Sequence, residues 1–220
     1  MPRKLIIIGA GGAGIEALWV VQRLAATPSA EAWTVLGWVD EDPARKGELV
    51  EELPILGPPG DVCREFGGQG IWFHGAVGDN FHRRRLTGIF EQAGFQPATL
   101  IDPSAAIAAS AQIGAGCYIA AQASIAPRAR IGRHVMVNLG ASIGHHSQCG
   151  DFCQVCPGGR VSGRALLGEG AFVGSNGVVA PRVSVAEWAT VAASSLAVQN
   201  VPARATAIGV PARSLVPPPS

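Results

Sequence analysis

The sequence predicts a two-domain protein in which an α/β domain precedes an all-β, left-handed parallel β-helix. Two patterns predict this architecture. Strand-like and helix-like segments alternate through residues 1–102, and a six-residue repeat then runs from about Ile107 to Val191. The pattern changes near Asp102-Pro103. We therefore expect the two domains to comprise residues 1–102 and 103–220.

The six-residue repeat is the stronger pattern. A period of six is a multiple of the strand period of two and fits the helical period of 3.6 poorly. It is typical of a parallel β-helix, in which three repeats form a triangular coil of about 18 residues around stacked interior side chains. Aliphatic residues or cysteine hold this register without a slip at Ile107, Ile113, Ile119, Ile125, Ile131, Val137, Ile143, Cys149, Val155, Val161, Leu167, Val173, Val179, Val185 and Val191.

The N-terminal segments predict a doubly wound, Rossmann-like α/β sheet. Apolar, β-branched runs predict strands over residues 4–8, 33–40 and 71–77, and helical spacing predicts helices over 15–26 and 81–92. We expect Asn80 to be the N-cap of the second helix. The basic run 83–85 is interpreted as a solvated helix face.

A glycine-rich turn joins the first strand to the first helix. The segment Gly9-Ala10-Gly11-Gly12-Ala13-Gly14 fits G-x-G-x-x-G. Backbone N–H groups and the helix N-terminus favour a phosphate or pyrophosphate there, and Asp40 at the end of the next strand can contact a ribose or base. A nucleotide diphosphate is favoured over NAD, because only about half of a dinucleotide fold is present. The alternative is a turn that serves only close strand–helix packing.

Composition and charge narrow the range of possible functions. Hydrophobic residues make up 48% and charged residues 15%, and the net charge is +1 from 17 basic and 16 acidic residues. No basic stripe indicates nucleic-acid binding, and no apolar run reaches the roughly 18 residues that a membrane span needs. We expect a cytoplasmic protein. Five cysteines, an odd number, favour free thiols.

One polar stretch of the repeat region, residues 138–154, contains candidate catalytic residues. His145 and His146 follow Ile143 by two and three residues, so both are expected outside the interior stack, where an imidazole can act as a general base. Nearby Asn138, Asp151 and Gln154 strengthen this interpretation for His145. By contrast, His134 is interpreted as a surface histidine without a role.

A zinc site is the competing interpretation of the same stretch. Its ligands would be His145, His146, Cys149, Cys153 and Cys156. The register places Cys149 and Cys153 at inward positions, and Cys117 also falls on a small inward position, so these thiols are better interpreted as core residues. We therefore expect no metal.

The chain resembles the bacterial sugar acyltransferases that include sialic-acid O-acetyltransferases and nucleotide-amino-sugar N-acetyltransferases. The resemblance covers nearly the whole chain and implies a homotrimer, acetyl-CoA bound on the β-helix and a nucleotide-sugar bound in the N-terminal domain. The segments that carry it are residues 4–14, Gly37-Trp38-Val39-Asp40-Glu41-Asp42-Pro43, Leu53-Pro54-Ile55-Leu56-Gly57, Gly78-Asp79-Asn80, the hexad array and Gly209-Val210-Pro211-Ala212-Arg213.

By position, the resemblance makes His145 the catalytic base. His146 stands where the family usually has Asp or Glu, a departure for which Asp151 is a candidate compensation. Gln154 occupies a position often held by a histidine that contacts acetyl-CoA, and Ser175 and Ala193 match further coenzyme contacts. The matches to nucleotide-sugar contacts are Gly11, Gly12, Ala13, Asp40, Glu41 and Gly78.

The predicted reaction is direct acetyl transfer from acetyl-CoA to the amino group of a UDP- or GDP-linked 4-amino sugar. His145 would take the proton, and the backbone N–H of Gly163 would stabilise the oxyanion. Asn138 and His146 complete the predicted catalytic set. The alternatives are O-acetylation of a sialic-acid-type sugar, and a non-catalytic or zinc-dependent β-helix trimer with His134 as a third histidine.

Overall fold

The computed structural model describes residues 2–27 and 32–215. The chain divides into two compact units, Met1–Pro103 and Ser104–Ser220. The first unit contains a six-stranded sheet in the order β3-β4-β2-β1-β5-β6, parallel except for the β3–β4 pair. Its strands are β1 Arg3–Ile8, β2 Trp33–Val39, β3 Leu49–Val50, β4 Leu53–Gly57, β5 Trp72–Gly75 and β6 Gln96–Pro97, and β7 Leu100–Ile101 follows.

Three helices complete the first unit: α1 Gly12–Ala25, α2 Pro59–Phe66 and α3 Asn80–Gln92, with a 3-10 turn at Pro43–Arg45. The apolar faces of α2 and α3 pack on the sheet around Ile6, Phe73 and Phe90, each completely buried. The predicted Rossmann-like α/β fold is confirmed. The carboxyl ends of β2, β1 and β5 lie side by side, so the segments that follow these strands share one edge of the sheet.

Two predictions about α3 are wrong. The N-cap is Asp79, whose carboxylate accepts a hydrogen bond from the backbone N–H of His82 at 2.7 Å. Asn80 is instead the first helical residue. Nor is the basic run a uniformly solvated face: Arg83 is only 1% exposed and donates a hydrogen bond to the carbonyl of Val77 at 2.8 Å. A guanidinium can be buried where backbone carbonyls satisfy its donors.

The second unit is the predicted left-handed β-helix. A two-residue strand recurs every six residues, and each strand pairs in parallel with the strand one coil further on, as Ser124 pairs with Ser142. The strands are β8 Ala106–Ile107, β9 Gln112–Ile113, β10 Tyr118–Ile119, β11 Ser124–Ile125, β12 Arg130–Ile131, β13 Met136–Val137, β14 Ser142–Ile143, β15 Gln148–Cys149, β16 Gln154–Val155, β17 Arg160–Val161, β18 Leu166–Leu167, β19 Phe172–Val173, β20 Val178–Val179, β21 Ser184–Val185, β22 Thr190–Val191 and β23 Leu196–Ala197. An antiparallel hairpin of β24 Thr206–Gly209 and β25 Ala212–Leu215 closes the array.

These strands form three faces. The first face holds β8, β11, β14, β17, β20 and β23, the second β9, β12, β15, β18 and β21, and the third β10, β13, β16, β19, β22, β24 and β25. The chain passes from the first face to the second around the first corner, then around the second corner to the third face, and returns around the third corner. Residues 18 apart therefore lie on the same face or corner of neighbouring coils.

The interior follows the predicted register. From Ile119 to Val191, every sixth residue is buried. Ile107 and Ile113, in the first coil, are only partly buried. Coils bury their interior side chains against one another, which explains the lower burial at the end of the stack. Across the described residues, α1 is the longest helix, and no helix has the length and apolar character needed to span a bilayer.

Candidate active site

A pair of histidines occupies the first corner of the β-helix. Both side chains are exposed, as the register predicts, because His145 and His146 belong to the turn that follows β14. Their rings are nearly perpendicular, and the two Nδ1 atoms lie 3.1 Å apart. His146 has φ +60°, a left-handed conformation that turns the chain sharply at this corner.

The contact between the two Nδ1 atoms restricts the protonation of the pair. One Nδ1 must carry a hydrogen and the other a lone pair. The pKa of His146 is lowered by loss of surrounding water, then by Arg164, Arg128 and His145, so the structure favours its neutral form. A neutral His146 can accept at Nδ1 from the Nδ1–H of His145. In that arrangement Nε2 of His145 keeps its lone pair and can take a proton.

Gly163 lies directly against His145, one coil further along the same corner. A Cβ atom placed on Gly163 would be 2.6 Å from Nε2 of His145 and 2.7 Å from its Cε1, closer than real Cβ contacts. Only glycine leaves room for this position of the ring. The carbonyl of His145 accepts from the backbone N–H of Arg164 at 2.9 Å, while the N–H of Gly163 donates to no described residue.

The other predicted site residues of the β-helix lie at a different edge. Asn138, Ser175 and Ala193 belong to the third corner, and Gln154 lies on the third face beside it. Asn138 is buried, and its Nδ2 donates to the carbonyl of Val155 at 3.0 Å, which ties one coil to the next. The exposed residues Ser175 and Ala193 are one coil apart. Within one chain, the first face therefore separates these residues from His145.

Two sequence-based interpretations fail at the second corner. Asp151 lies there, and its Oδ1 accepts from the backbone N–H of Arg133 at 2.7 Å, so Asp151 does not supply the negative charge missing at His146. His134 is not a surface residue: it is 1% exposed, and its ring stacks on Phe152 at 5.2 Å. Neighbours in sequence are separated here because each coil turns three times in 18 residues.

Three cysteines of the β-helix occupy interior positions. Cys117, Cys149 and Cys153 are buried, as the register predicts, and burial raises the pKa of Cys149 well above its usual value. The thiols of Cys117 and Cys153 donate to backbone carbonyls of the next coil, at 3.0 Å and 2.9 Å. A group of three or more His, Cys, Asp or Glu side chains suited to a metal ion is not found within residues 2–27 and 32–215.

A second candidate site lies at the carboxyl edge of the sheet in the first unit. A Cβ atom on Gly9 would lie 2.7 Å from the carbonyl oxygen of Ala76, and one on Gly14 would lie 2.0 Å from that of Gly9, so these two glycines serve close packing. Cβ atoms on Gly11 or Gly12 would meet nothing within 4 Å. The latter two therefore leave open space before the first turn of α1.

Open space continues around this edge. A Cβ atom on Gly78, which follows β5, would also meet nothing within 4 Å. The first turn of α1, which includes Ala13, has no side-chain cap and no acidic residue. Its backbone N–H groups, which lack helical partners, are suited to bind an anion.

A charged network frames the same edge. Asp40 pairs with Arg45, and Glu41 pairs with His82 and with Arg85, whose Nη2 lies 2.5 Å from Oε1. Arg85, then His82, lower the pKa of the Glu41 carboxyl group. The sequence alone does not predict that His82 and Arg85 belong to this site. Their three-residue spacing on α3 places them on one helix face, but nothing in the sequence indicates that Glu41 lies opposite.

Together, the fold and these sites define a class of protein. A left-handed β-helix of six-residue repeats with a histidine at one corner is the architecture of hexapeptide-repeat acyltransferases, and here it is joined to a Rossmann-like domain with an open glycine turn. Residues 4–90 match the family model of the PglD N-terminal domain. No curated protein sequence matches the chain significantly.

Solved structures match both units. The acetyltransferase domain of PglB from Neisseria gonorrhoeae FA1090, in complex with acetyl coenzyme A, is 26% identical, with a TM-score of 0.88, over 98% of this chain and 100% of that chain. A mutant of perosamine N-acetyltransferase from Caulobacter crescentus, in complex with CoA and GDP-perosamine, is 28% identical, with a TM-score of 0.87, over 97% of each chain. WeeI from Acinetobacter baumannii AYE shares the fold at 22% identity, with a TM-score of 0.86, over 97% of this chain and 100% of that chain. Over nearly its whole length the chain is similar to bacterial sugar acetyltransferases, and it is an acyltransferase.

Proposed function

We propose that this protein transfers the acetyl group of acetyl-CoA to the amino group of a nucleotide-linked 4-amino sugar, with His145 as general base. The observation that carries the proposal is the placement of the His145 imidazole between His146 and Gly163. Two similar structures support the substrate classes, since one contains acetyl coenzyme A and another contains CoA and GDP-perosamine. The cytoplasm, where acetyl-CoA is available, is the proposed location.

The chemical step needs one proton acceptor and one oxyanion donor. The sugar nitrogen attacks the thioester carbonyl carbon and forms the C–N bond, and Nε2 of His145 takes the proton that the nitrogen loses. The N–H of Gly163, which has no partner among the described residues, stabilises the negative oxygen. The C–S bond then breaks, and the CoA thiolate leaves and is protonated by the His145 imidazolium. His146 stabilises that imidazolium by accepting its Nδ1–H.

The nucleotide-sugar is proposed to bind at the carboxyl edge of the first unit. Its diphosphate would contact the N–H groups of Gly12 and Ala13, in the space left open by Gly11 and Gly78. The carboxylates of Asp40 and Glu41 would accept hydrogen bonds from the ribose or the base, because an ionised carboxylate is purely an acceptor. Their arginine and histidine partners fix the direction of these carboxylates.

A homotrimer would bring the two edges of the β-helix together. The outward side chains at the start of the first face are small: Ala106, Ser124 and Ser142. If this face turns toward a threefold axis, the first corner of one copy meets the third corner of the next. The coenzyme would then lie between copies, with Gln154, Ser175 and Ala193 from one copy and His145 from its neighbour.

The test is replacement of His145 by Ala, with acetyl transfer followed as release of the CoA thiol. Loss of a general base is expected to lower kcat by about 100- to 10,000-fold. The control is Pro181→Ala, which changes the equivalent exposed turn position two coils further along the same corner. It is expected to keep wild-type turnover. If His145→Ala retained near-wild-type turnover, the role of His145 would be wrong.

A further inference from the structure

A column of basic residues runs along the first corner of the β-helix, where His145 lies. Arg128, His146, Arg164 and Arg182 are spaced 18 residues apart, so they stack on successive coils. All four have left-handed backbone angles, with φ between +60° and +62°, and all four side chains are exposed. Neighbouring parallel strands lie about 4.8 Å apart, so Arg128 and Arg164 flank His146 at that backbone spacing.

The charges around His146 are all of one sign. His146 faces His145 on its own turn and the two arginines of the adjacent coils. It also lines a cleft of about 410 Å³ whose other walls are Ser110, Gln112, Arg128, Arg130 and Gln148. The acidic side chains of residues 104–215 are Asp151, Glu169 and Glu187, and each lies at the second corner, one coil from the next. No carboxylate of residues 104–215 therefore offsets the positive field at His146.

The positive field around His146 protects the hydrogen bond between His145 and His146. A protonated His146 would carry N–H groups on both ring nitrogens and could no longer accept from His145. Two guanidinium groups on adjacent coils disfavour that extra positive charge. The column therefore favours the one form of His146 that can hold the Nδ1–H of His145 and leave Nε2 of His145 as the base.

We propose that Arg128 and Arg164 are positioning residues of the catalytic base: they disfavour protonation of His146, so that its Nδ1 lone pair stays available to orient His145. In this protein a neutral acceptor held between two arginines takes the place of the carboxylate usual at position 146 in the family. The inference rests on the proposed role of His145, but its central step, the charge state of His146, can be measured without any turnover.

The first test is an NMR titration of the His146 imidazole in the full chain, with its resonance assigned by a His146→Asn variant. Arg128→Gln and Arg164→Gln should each raise the pKa of His146 because each removes a repelling charge. Arg164→Lys, which keeps the charge, should leave it unchanged. The matched control is Arg182→Gln, at the same turn position and two coils from His146, which should cause a much smaller change. Equal shifts in all three glutamine variants, or none in Arg128→Gln and Arg164→Gln, would overturn the proposal.

The second test is the pH profile of acetyl transfer. As the pKa of His146 rises, its acceptor lone pair is lost at higher pH, so the acid limb of kcat/KM should move upward. For either glutamine variant, the ratio of kcat/KM at pH 6 to that at pH 8 should fall about two- to threefold relative to wild type, the size expected for one solvent-screened charge on an adjacent coil. A rise in KM at every pH without a change in this ratio would show that the arginines bind an anionic substrate instead, and would overturn the positioning role.

Discussion

The fit of the His145 ring over Gly163, which leaves no room for a Cβ atom, gives a sharp prediction for Gly163→Ala. The backbone should accept the change, since Gly163 does not have a positive φ and the equivalent positions of other coils carry Pro127, His145 and Pro181. The new Cβ would nevertheless lie 2.6 Å from Nε2 of His145, and ordinary contacts begin near 3.4 Å. The imidazole must therefore move by about 0.8 Å.

A displacement of this size should cost activity more than stability. A misplacement of about 1 Å can lower the rate of a positioned reaction by about 100-fold, so kcat/KM for acetyl transfer should fall about 10- to 100-fold. The measurement is steady-state release of the CoA thiol. Circular dichroism should show that the fold is unchanged.

The same substitution in the His145→Ala background separates the clash from other effects. Without the imidazole, Gly163→Ala should raise the free energy of unfolding by about 0.4–1 kcal/mol, because alanine restricts the unfolded chain more than glycine. With His145 present, this gain should be reduced or reversed by the clash. If Gly163→Ala alone kept wild-type kcat/KM, or if its effect on stability were the same in both backgrounds, the packing of His145 on Gly163 would be wrong.

Three further predictions concern the site shared between copies, the glycine turn and the ion pairs of Glu41. Mixing subunits that carry His145→Ala with subunits that carry Ala193→Trp should restore acetyl transfer to about one quarter of the wild-type level, because each shared site draws on two copies of a trimer; no recovery after exchange would contradict a site between copies. Gly12→Asp should leave Tm unchanged or raised, since a carboxylate favours a helix N-terminus, yet weaken nucleotide-sugar binding at least about tenfold by calorimetry; equal affinity would contradict the phosphate site. Because the folded-state pKa of Glu41 is lowered, its stabilising contribution is complete above its ordinary pKa and is lost as the pH falls below it. Glu41→Gln should therefore make Tm less dependent on pH in that acid range, and an unchanged dependence would show that its pairing contributes nothing.

The repeat register made much of the second unit predictable. A fixed period of six determines which side chains point inward, so the burial of Cys149 and the exposure of His145 and His146 follow from counting along the chain. The contact with Gly163 could also be anticipated, since residues 145 and 163 are one coil apart. What counting did not reveal is that the glycine is required by the imidazole itself.

The errors came from treating neighbours in sequence as neighbours in space. Asp151 is six residues from His145 and therefore lies one corner further around the coil, where it binds the backbone of Arg133. The burial of His134 against Phe152 joins successive coils, a relation 18 residues long that a local interpretation of polarity does not contain.

In the first unit, the ion pairs between residues far apart in the chain could not be predicted from the sequence. The sequence indicates that Asp40 ends a strand and that Glu41 follows it, and the order of strands and helices predicts the sheet. The pairing of Glu41 with His82 and Arg85 depends on where α3 begins relative to β2, and the separation of 41 residues between Glu41 and His82 carries no local signal. The burial of Arg83 has the same origin, because its acceptor at Val77 is available only once the helix has packed.

The most direct test of the central claim is acetylation of defined acceptors by the purified protein. UDP-, GDP-, dTDP- and CMP-linked 4-amino sugars, together with a free sialic-acid-type sugar, would each be incubated with acetyl-CoA and the products analysed by mass spectrometry and NMR. We expect an amide-linked acetyl group on a nucleotide-linked amino sugar, with formation abolished by His145→Ala. Acetylation of a hydroxyl group on the free sugar alone, or of no acceptor in the panel, would contradict it.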